Sequence, residues 1–297
     1  MTDIIRTDMR TNDRAKAKKV IMQISLYLIL ALVVLILFVP FYIMFTTSFK
    51  TLGETYREFT WWPKEFSVEA YSSVLTTGAL QISVPRSFLN TLMIVLPTTA
   101  VGLFMSALSA YAFAKYDFRG SGALFSILLF SMMMPGAITL IPQFMVFSEL
   151  NWVGTPLPLI IPGLFGNATA VFFLRQYIRG IPTDLIEAAR VEGMDRFRIF
   201  LSLILPLSVP ALIAQGILMF IGGYNDYLSP LIYLQDFRQY TLQVMLSQYV
   251  GMSDTSMGPH YPKIMAASML TLLPLLIVYS FTQKFFISGI AVSGMKS

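Results

Sequence analysis

The residues that could do chemistry in this chain are few, and their types exclude most chemistries. There is one histidine, His260, and there are no cysteines among 297 residues. Thiolate nucleophiles, disulfides, Cys-held zinc or iron–sulfur groups and histidine-ligated metal clusters are therefore excluded. His260 follows Pro259 and reads as a loop residue, since a catalytic role would need acid–base groups within hydrogen-bond reach. No G-x-x-x-x-G-K-[ST] stretch occurs, so no loop here cradles nucleotide phosphates. What remains is one compact charged constellation, Glu187, Arg190 and Glu192, with Gly193 behind it. Charges so spaced suit recognition rather than bond-making.

Local signals give that constellation a shape. Thr183 or Asp184 can serve as an N-cap, with Glu187 placed as in a capping box. Strong helix formers follow, Gly193 can take the left-handed conformation that ends a helix, and Asp195 can cap the next one. A short rigid helix over about 183–196 is expected, tied at both ends to apolar stretches. Small Ala188 and Ala189 would let a partner's groove approach closely, while Glu187, Arg190 and Glu192 fix register. The same composition also fits a helix lying on lipid headgroups.

The elements that must position this helix are unusually apolar. Hydrophobic residues make up 56% of the chain and charged residues 12%, and mean hydropathy is +0.67. Soluble domains carry about 25% charged residues, so an ordinary cytosolic enzyme and a disordered chain are both excluded. Six stretches free of Asp, Glu, Lys and Arg reach the ~20 residues that a spanning helix needs: 20–45, 87–114, 120–148, 155–174, 199–224 and 264–283. The first is too long for a signal-peptide core and no small-residue cleavage site follows it. Lys and Arg fix the orientation. With the N-terminus inside, 15 of the 21 Lys and Arg lie inside, while the 16 acids divide evenly. Both termini are expected in the cytoplasm.

The spans carry no ionisable side chain, so a proton or sodium gradient has no handle there, and no internal repeat stands out. Pro40, Pro97, Pro135, Pro142, Pro158, Pro162, Pro206, Pro210 and Pro274 each remove a backbone donor and kink a span. Kinked spans suit a cavity-lining protein that changes shape, although proline is also common in membrane helices. Two outer connections are long. One, 46–86, holds Trp61 and Trp62, which read as an interfacial anchor or as a partner contact. The other, 225–263, contains a helix-like patch at 240–250.

Glu187-Ala188-Ala189, Gly193 and Ile204-Leu205-Pro206 together resemble the EAA motif of importer permeases of the ATP-binding-cassette class. Its usual form is E-A-A-x-x-D-G followed by I-x-L-P, with Glu192 here in place of Asp. The resemblance covers nearly the whole chain and is closest to the six-span permease subunit of carbohydrate importers of the maltose and multiple-sugar type. Asn90-Thr91, Phe118-Arg119-Gly120, Met134-Pro135, Thr241-Leu242 and Leu273-Pro274 fit that subunit's pattern, as do Tyr224-Asn225-Asp226, where Tyr224 replaces a usual Trp.

The resemblance implies an all-α membrane protein of the type I importer fold. It would have six kinked transmembrane helices and a short cytoplasmic coupling helix. A tail at 1–19 and another at 288–297 would flank a permease domain at 20–287. Glu187, Ala188, Ala189, Arg190, Glu192 and Gly193 would contact a cytoplasmic ATPase subunit. Tyr111, Tyr224, Asn225 and Tyr227 would line the substrate path, since sugars bind on aromatic faces beside amides. Gly251, Met252, Ser253, Asp254 and Pro259 would touch an extracytoplasmic solute-binding protein. The implied partners are a second homologous permease, two ATPase subunits, that binding protein, membrane lipid and a sugar, with no nucleic acid. No cofactor is implied in this chain; ATP and Mg would sit on the ATPase subunits. The implied location is a prokaryotic plasma membrane. A non-sugar importer and an ATPase-independent pore or scaffold are the alternatives.

Overall fold

A computed structural model describes residues 2–76, 83–251, 253–255 and 258–294, with side chains except at 2–18, 137, 253–255 and 284–294. Helices α1 (Thr2–Ser48), α2 (Leu52–Arg57) and α3 (Glu69–Leu75) precede α4 (Val84–Lys115). Next come α5 (Ser121–Met133), α6 (Gly136–Glu149), α7 (Leu157–Leu164), α8 (Ala168–Arg179) and α9 (Thr183–Val191). The rest are α10 (Arg196–Ile199), α11 (Leu205–Leu207), α12 (Val209–Tyr224), α13 (Leu228–Tyr233), α14 (Leu242–Gly251) and α15 (Tyr261–Gly294). A two-stranded antiparallel ribbon, β1 (Ser253–Thr255) and β2 (Gly258–Pro259), precedes α15.

Four apolar helical stretches are long enough to cross a bilayer: Lys19–Ser48, Val84–Lys115, Leu157–Arg179 and Tyr261–Gln283. Two further apolar stretches are bent helix pairs, which bring the number of spans to six if each pair crosses as one. Ser121–Met133 and Ile138–Glu149 meet at 105°, and Arg196–Leu207 and Val209–Tyr224 meet at 80°. The six stretches read from the sequence are thus all helical, but two are far from straight. The physical reason lies in the prolines. Pro135 pushes Met134 into extended backbone (φ −76°, ψ 122°). Pro206 and Pro210 withdraw two donors around Ser208, behind a π-helical turn at Phe200–Ile204. Helix α1 starts at Thr2 and α15 runs to Gly294, so both carry residues of the expected tails.

Helix α4 organises the rest. At 32 residues it is about 48 Å long, so its two ends mark opposite faces of the molecule. At the first end Thr91 Oγ1 accepts from the Leu242 amide at 2.9 Å, and Asn90 Nδ2 donates to the carbonyls of Arg238 and Tyr240. At the other end Lys115 Nζ donates to the carbonyls of Arg179 (3.4 Å) and Ile181 (2.5 Å). Two apolar clusters follow this division. One gathers Tyr224, Leu242, Met245 and Ala267 at the first end, and the other gathers Tyr111, Leu174, Ile178, Ile186, Ile199 and Phe200 at the second.

Midway, α4 meets the fourth span through small residues. Thr98, Gly102 and Ser106 recur every fourth position and so lie on one face. A Cβ on Gly163 would stand 2.8 Å from the Thr98 methyl. One on Gly102 would collide with the Gly163 carbonyl oxygen, and one on Gly166 with the Ser106 hydroxyl. Close backbone approach of this kind is how membrane helices gain packing where lipid supplies no hydrophobic drive. Gly166→Ala adds strain at φ +86° to that collision, costing about 1–3 kcal/mol. It should lower the melting temperature in detergent by several degrees. Gly122→Ala, which meets nothing within 4 Å, should not. Equal melting of both variants would contradict this packing.

Candidate functional site

The short helix expected from the sequence is α9, and it is built as a rigid corner. Its N-cap is Pro182, with no side-chain cap bond. Neither Thr183 nor Asp184 caps; both lie in the first turn, because Pro182 already sets an extended φ of −56° and ψ of 134° ahead of it. Asp184 instead faces the positive end of the helix dipole. The other end matches expectation. Gly193 has φ +84°, its amide donates to the Arg190 carbonyl at 2.9 Å, and the Met194 amide donates to Ala189 at 3.1 Å. That pair of bonds is a Schellman closure. Asp195 then accepts from the Arg198 amide at 2.9 Å and starts α10.

One face of α9 is consumed by the protein. Ile186 and Ala189 are buried against Ile178, Ile181 and Ile199. Ala189 is thus a packing residue, not a surface one as its composition implied: two helical turns that bury Ile186 also bury the residue three positions on. The other face is free. Glu187, Ala188, Arg190, Glu192 and Gly193 are exposed, and so are Leu185 and, at 89%, Val191. Among the described residues the ion pair is Lys64–Glu58, and α9 makes none. An interfacial helix would turn its apolar face to lipid. Here that face is spent on the core, and the remaining one presents three acids, Arg190 and two apolar residues, Leu185 and Val191, a poor match for anionic headgroups. The arrangement suits docking into a protein groove.

Residues that composition alone did not single out brace this corner. Lys115 holds the carbonyls between α8 and α9, as noted. Arg175 Nε donates to the Phe113 carbonyl at 3.1 Å, and its guanidinium lies 3.9 Å from the Phe125 ring centroid. Arg190 and Arg196 both lie over the Tyr116 ring, at 5.6 and 4.8 Å. Tyr116 in turn meets Tyr111, hydroxyl to hydroxyl, at 2.6 Å. The signal in the sequence was the cluster of basic residues at helix ends, where carbonyls lack partners.

The four residues expected along a substrate path do not come together. Tyr111 is buried in the cluster behind α9, and Tyr224 is fully buried at the opposite end, with its hydroxyl on the Thr271 carbonyl at 2.8 Å. Both are core residues with satisfied hydroxyls, because large aromatic side chains on these helices fill the packed clusters. Asn225 and Tyr227 are exposed near Tyr224, and Asn225 Oδ1 accepts from Gln243 at 3.3 Å.

The face away from α9 carries the two long connections, and they are joined. Tyr56 donates to the Pro259 carbonyl at 2.5 Å and its ring lies 5.6 Å from that of Tyr261. Gly251 is exposed at the end of α14 and Pro259 sits in β2. Met252 and the side chains of Ser253 and Asp254 lie outside the described residues. Trp61 and Trp62 are exposed, and Trp61 lies 6.3 Å from Tyr42 of the first span. In α2, burial pushes the Glu54 carboxyl up, but hydrogen bonds from the Lys64 amide and the Thr60 hydroxyl bring it below its usual value.

Comparison with known proteins gives this architecture its class. Residues 99–292 match the family described as binding-protein-dependent transport system inner membrane component. The chain belongs to that family and is a multi-pass protein of the inner membrane. It is 34% identical to the arabinooligosaccharides transport system permease protein AraQ of Bacillus subtilis (strain 168), over 79% of this chain and 80% of that one. It is 29% identical to the polygalacturonan/rhamnogalacturonan transport system permease protein YtcP of the same organism, over 95% and 99%. A bacterial ABC transporter involved in the import of the acidic polysaccharide alginate has a chain with the same fold. Its TM-score is 0.80 at 23% identity, covering 90% of this chain and 96% of that one.

The corner at Gly193 can be tested alone. No atom lies within 4 Å of a Cβ built there, so Gly193→Val acts through backbone strain only, roughly 1–3 kcal/mol. Hydrogen exchange of amides 192–194 should quicken while that of α4 stays unchanged. Unaltered exchange at the corner would contradict the Schellman assignment.

Proposed function

We propose that this chain is the permease subunit of an ATP-driven, binding-protein-dependent importer of sugars, most of all oligosaccharides, working by alternating access. The observation that carries the reading is α9: a docking helix with its apolar face locked to the bundle and its exposed acids in no ion pair among the described residues, inside the segment that matches the family. The oligosaccharide substrates named for the two Bacillus relatives support the sugar assignment.

In this reading Glu187, Ala188, Arg190, Glu192 and the exposed Leu185 and Val191 enter a groove on a cytoplasmic ATPase subunit. ATP and Mg belong to that subunit and its twin; hydrolysis is theirs. Closure of the two ATPase subunits displaces α9, and Lys115 and Arg175 pass the displacement to α4 and α8. The energy is the difference in ATP affinity between two global states. A second homologous permease completes the pore. A solute-binding protein delivers sugar to the opposite face, over the joined connections that carry Tyr56, Gly251 and Pro259. Both termini then lie in the cytoplasm, on the side of α9, where Lys and Arg predominate.

Reconstitution tests this. The purified chain alone should transport nothing. With a second permease, two ATPase subunits and sugar-loaded binding protein it should accumulate sugar on ATP, and an uncoupler should not stop it. Glu187→Lys should abolish uptake without impairing insertion. A cysteine at Ser253 should react with an impermeant reagent from outside and one at Ser121 should not. Accumulation driven by an ion gradient without ATP, or the opposite labelling pattern, would refute the reading.

A further inference from the structure

The fourth span is broken in the middle of the bundle. Helix α7 ends at Leu164 and α8 begins at Ala168, with Gly166 left-handed at φ +86° and Asn167 as N-cap, accepting from the Ala170 amide at 2.7 Å. The break lies beside Thr98 and Thr99, midway along α4. Non-helical backbone at membrane depth persists only where protein buries it or where it lines a cavity. Here it does both. The Asn167 amide donates to Ser106 Oγ at 3.2 Å, and the break opens on a cavity of about 440 Å³ lined by Thr98, Thr99, Asn167, Thr169 and Gln215, with Gly163, Gly166, Gly222 and Gly223 among its walls.

Gln215 is the unusual member. It is 4% exposed, it faces this cavity, and its carboxamide has no hydrogen-bond partner among the described residues. Its amide atoms keep surface open to the cavity, so a hydroxyl that enters there can pair with them. Among the described residues no Asp, Glu, Lys, Arg or His lines the cavity. A carboxylate passing there would lose its water with no cation among the described wall residues to replace it, whereas hydroxyls would find both donors and acceptors in the amides and threonines.

We infer that this cavity is a substrate-contact site for an uncharged, hydroxyl-bearing solute, with Gln215 as its specificity-determining residue. The inference rests on the sugar-importer reading and narrows it to neutral saccharides. It also replaces Tyr111 and Tyr224, which the packing withdraws from any path.

The test uses the complete transporter in proteoliposomes, with arabinotriose and trigalacturonate as probes, each at saturating loaded binding protein. The intact complex should take up arabinotriose in preference. Gln215→Leu should slow that uptake roughly three- to tenfold, the worth of one hydrogen bond to a neutral group. A second variant covers the case in which Gln215→Leu fails to assemble. Thr99→Cys, in a chain without native cysteine, should react with a small thiosulfonate, and arabinotriose but not trigalacturonate should slow the reaction at least threefold. Arabinotriose uptake that neither variant reports, with normal uptake in Gln215→Leu and no protection at Thr99→Cys, would overturn the site and leave the sugar reading standing. Preference for trigalacturonate would overturn the ligand class. Uptake of neither saccharide would overturn the sugar reading, and this inference with it.

Discussion

The close approach of α4 to the broken fourth span is the contact on which the rest depends. Thr98, Gly102 and Ser106 present so little side chain that Gly163 and Gly166 come to rest against them. Lipid offers no hydrophobic force between helices, so packing of this closeness and the satisfaction of backbone polar groups decide the arrangement. The contact has two consequences. It seals most of the interrupted backbone against protein, with Ser106 accepting the Asn167 amide. It also fixes α8, and through α8 the position at which the chain leaves the bundle toward α9.

From that contact outward each element is braced on the next. The C-terminal ends of α4 and α8 are held together by Lys115 on two carbonyls and by Arg175 on the Phe113 carbonyl and the Phe125 ring. Cations at helix C-termini complement both the orphan carbonyls and the dipole. Helix α9 is clamped beyond them by Ile186 and Ala189 and closed by Gly193. In the proposed function a push on its exposed face reaches α4 through these braces. At the far end α4 holds α14 and the neighbouring loop through Thr91 and Asn90. One helix thus touches both faces on which partners are proposed to act.

The sequence was informative where the signal is local. Six apolar stretches, the α9 helix, the left-handed Gly193, the Asp195 cap and the helix at 242–251 all follow from composition, turn chemistry and length. Prolines marked the bends, but the angles of 105° and 80° depend on tertiary packing. The break at Gly166-Asn167 is hard to see in the sequence because Pro158 and Pro162 nearby give a louder signal, and a glycine before a capping asparagine is weak evidence inside an apolar run. The burial of Tyr111 and Tyr224 is hidden from the sequence for a related reason. An aromatic residue in a transport protein fits a sugar site and a packed core equally well, and only burial separates the two. Gln215 carried the opposite signal, a lone amide in an apolar span, and its meaning appears only when the cavity beside it is known.

The account stands on α9 as a protein-docking helix. A photoreactive benzoylphenylalanine at Val191, the most exposed apolar residue of that helix, tests it directly in the assembled, transport-active complex. Illumination is predicted to join this chain to the ATPase subunit, in a yield that changes when ATP is added. Adducts with lipid alone, or none, in a complex that still transports on ATP would contradict it.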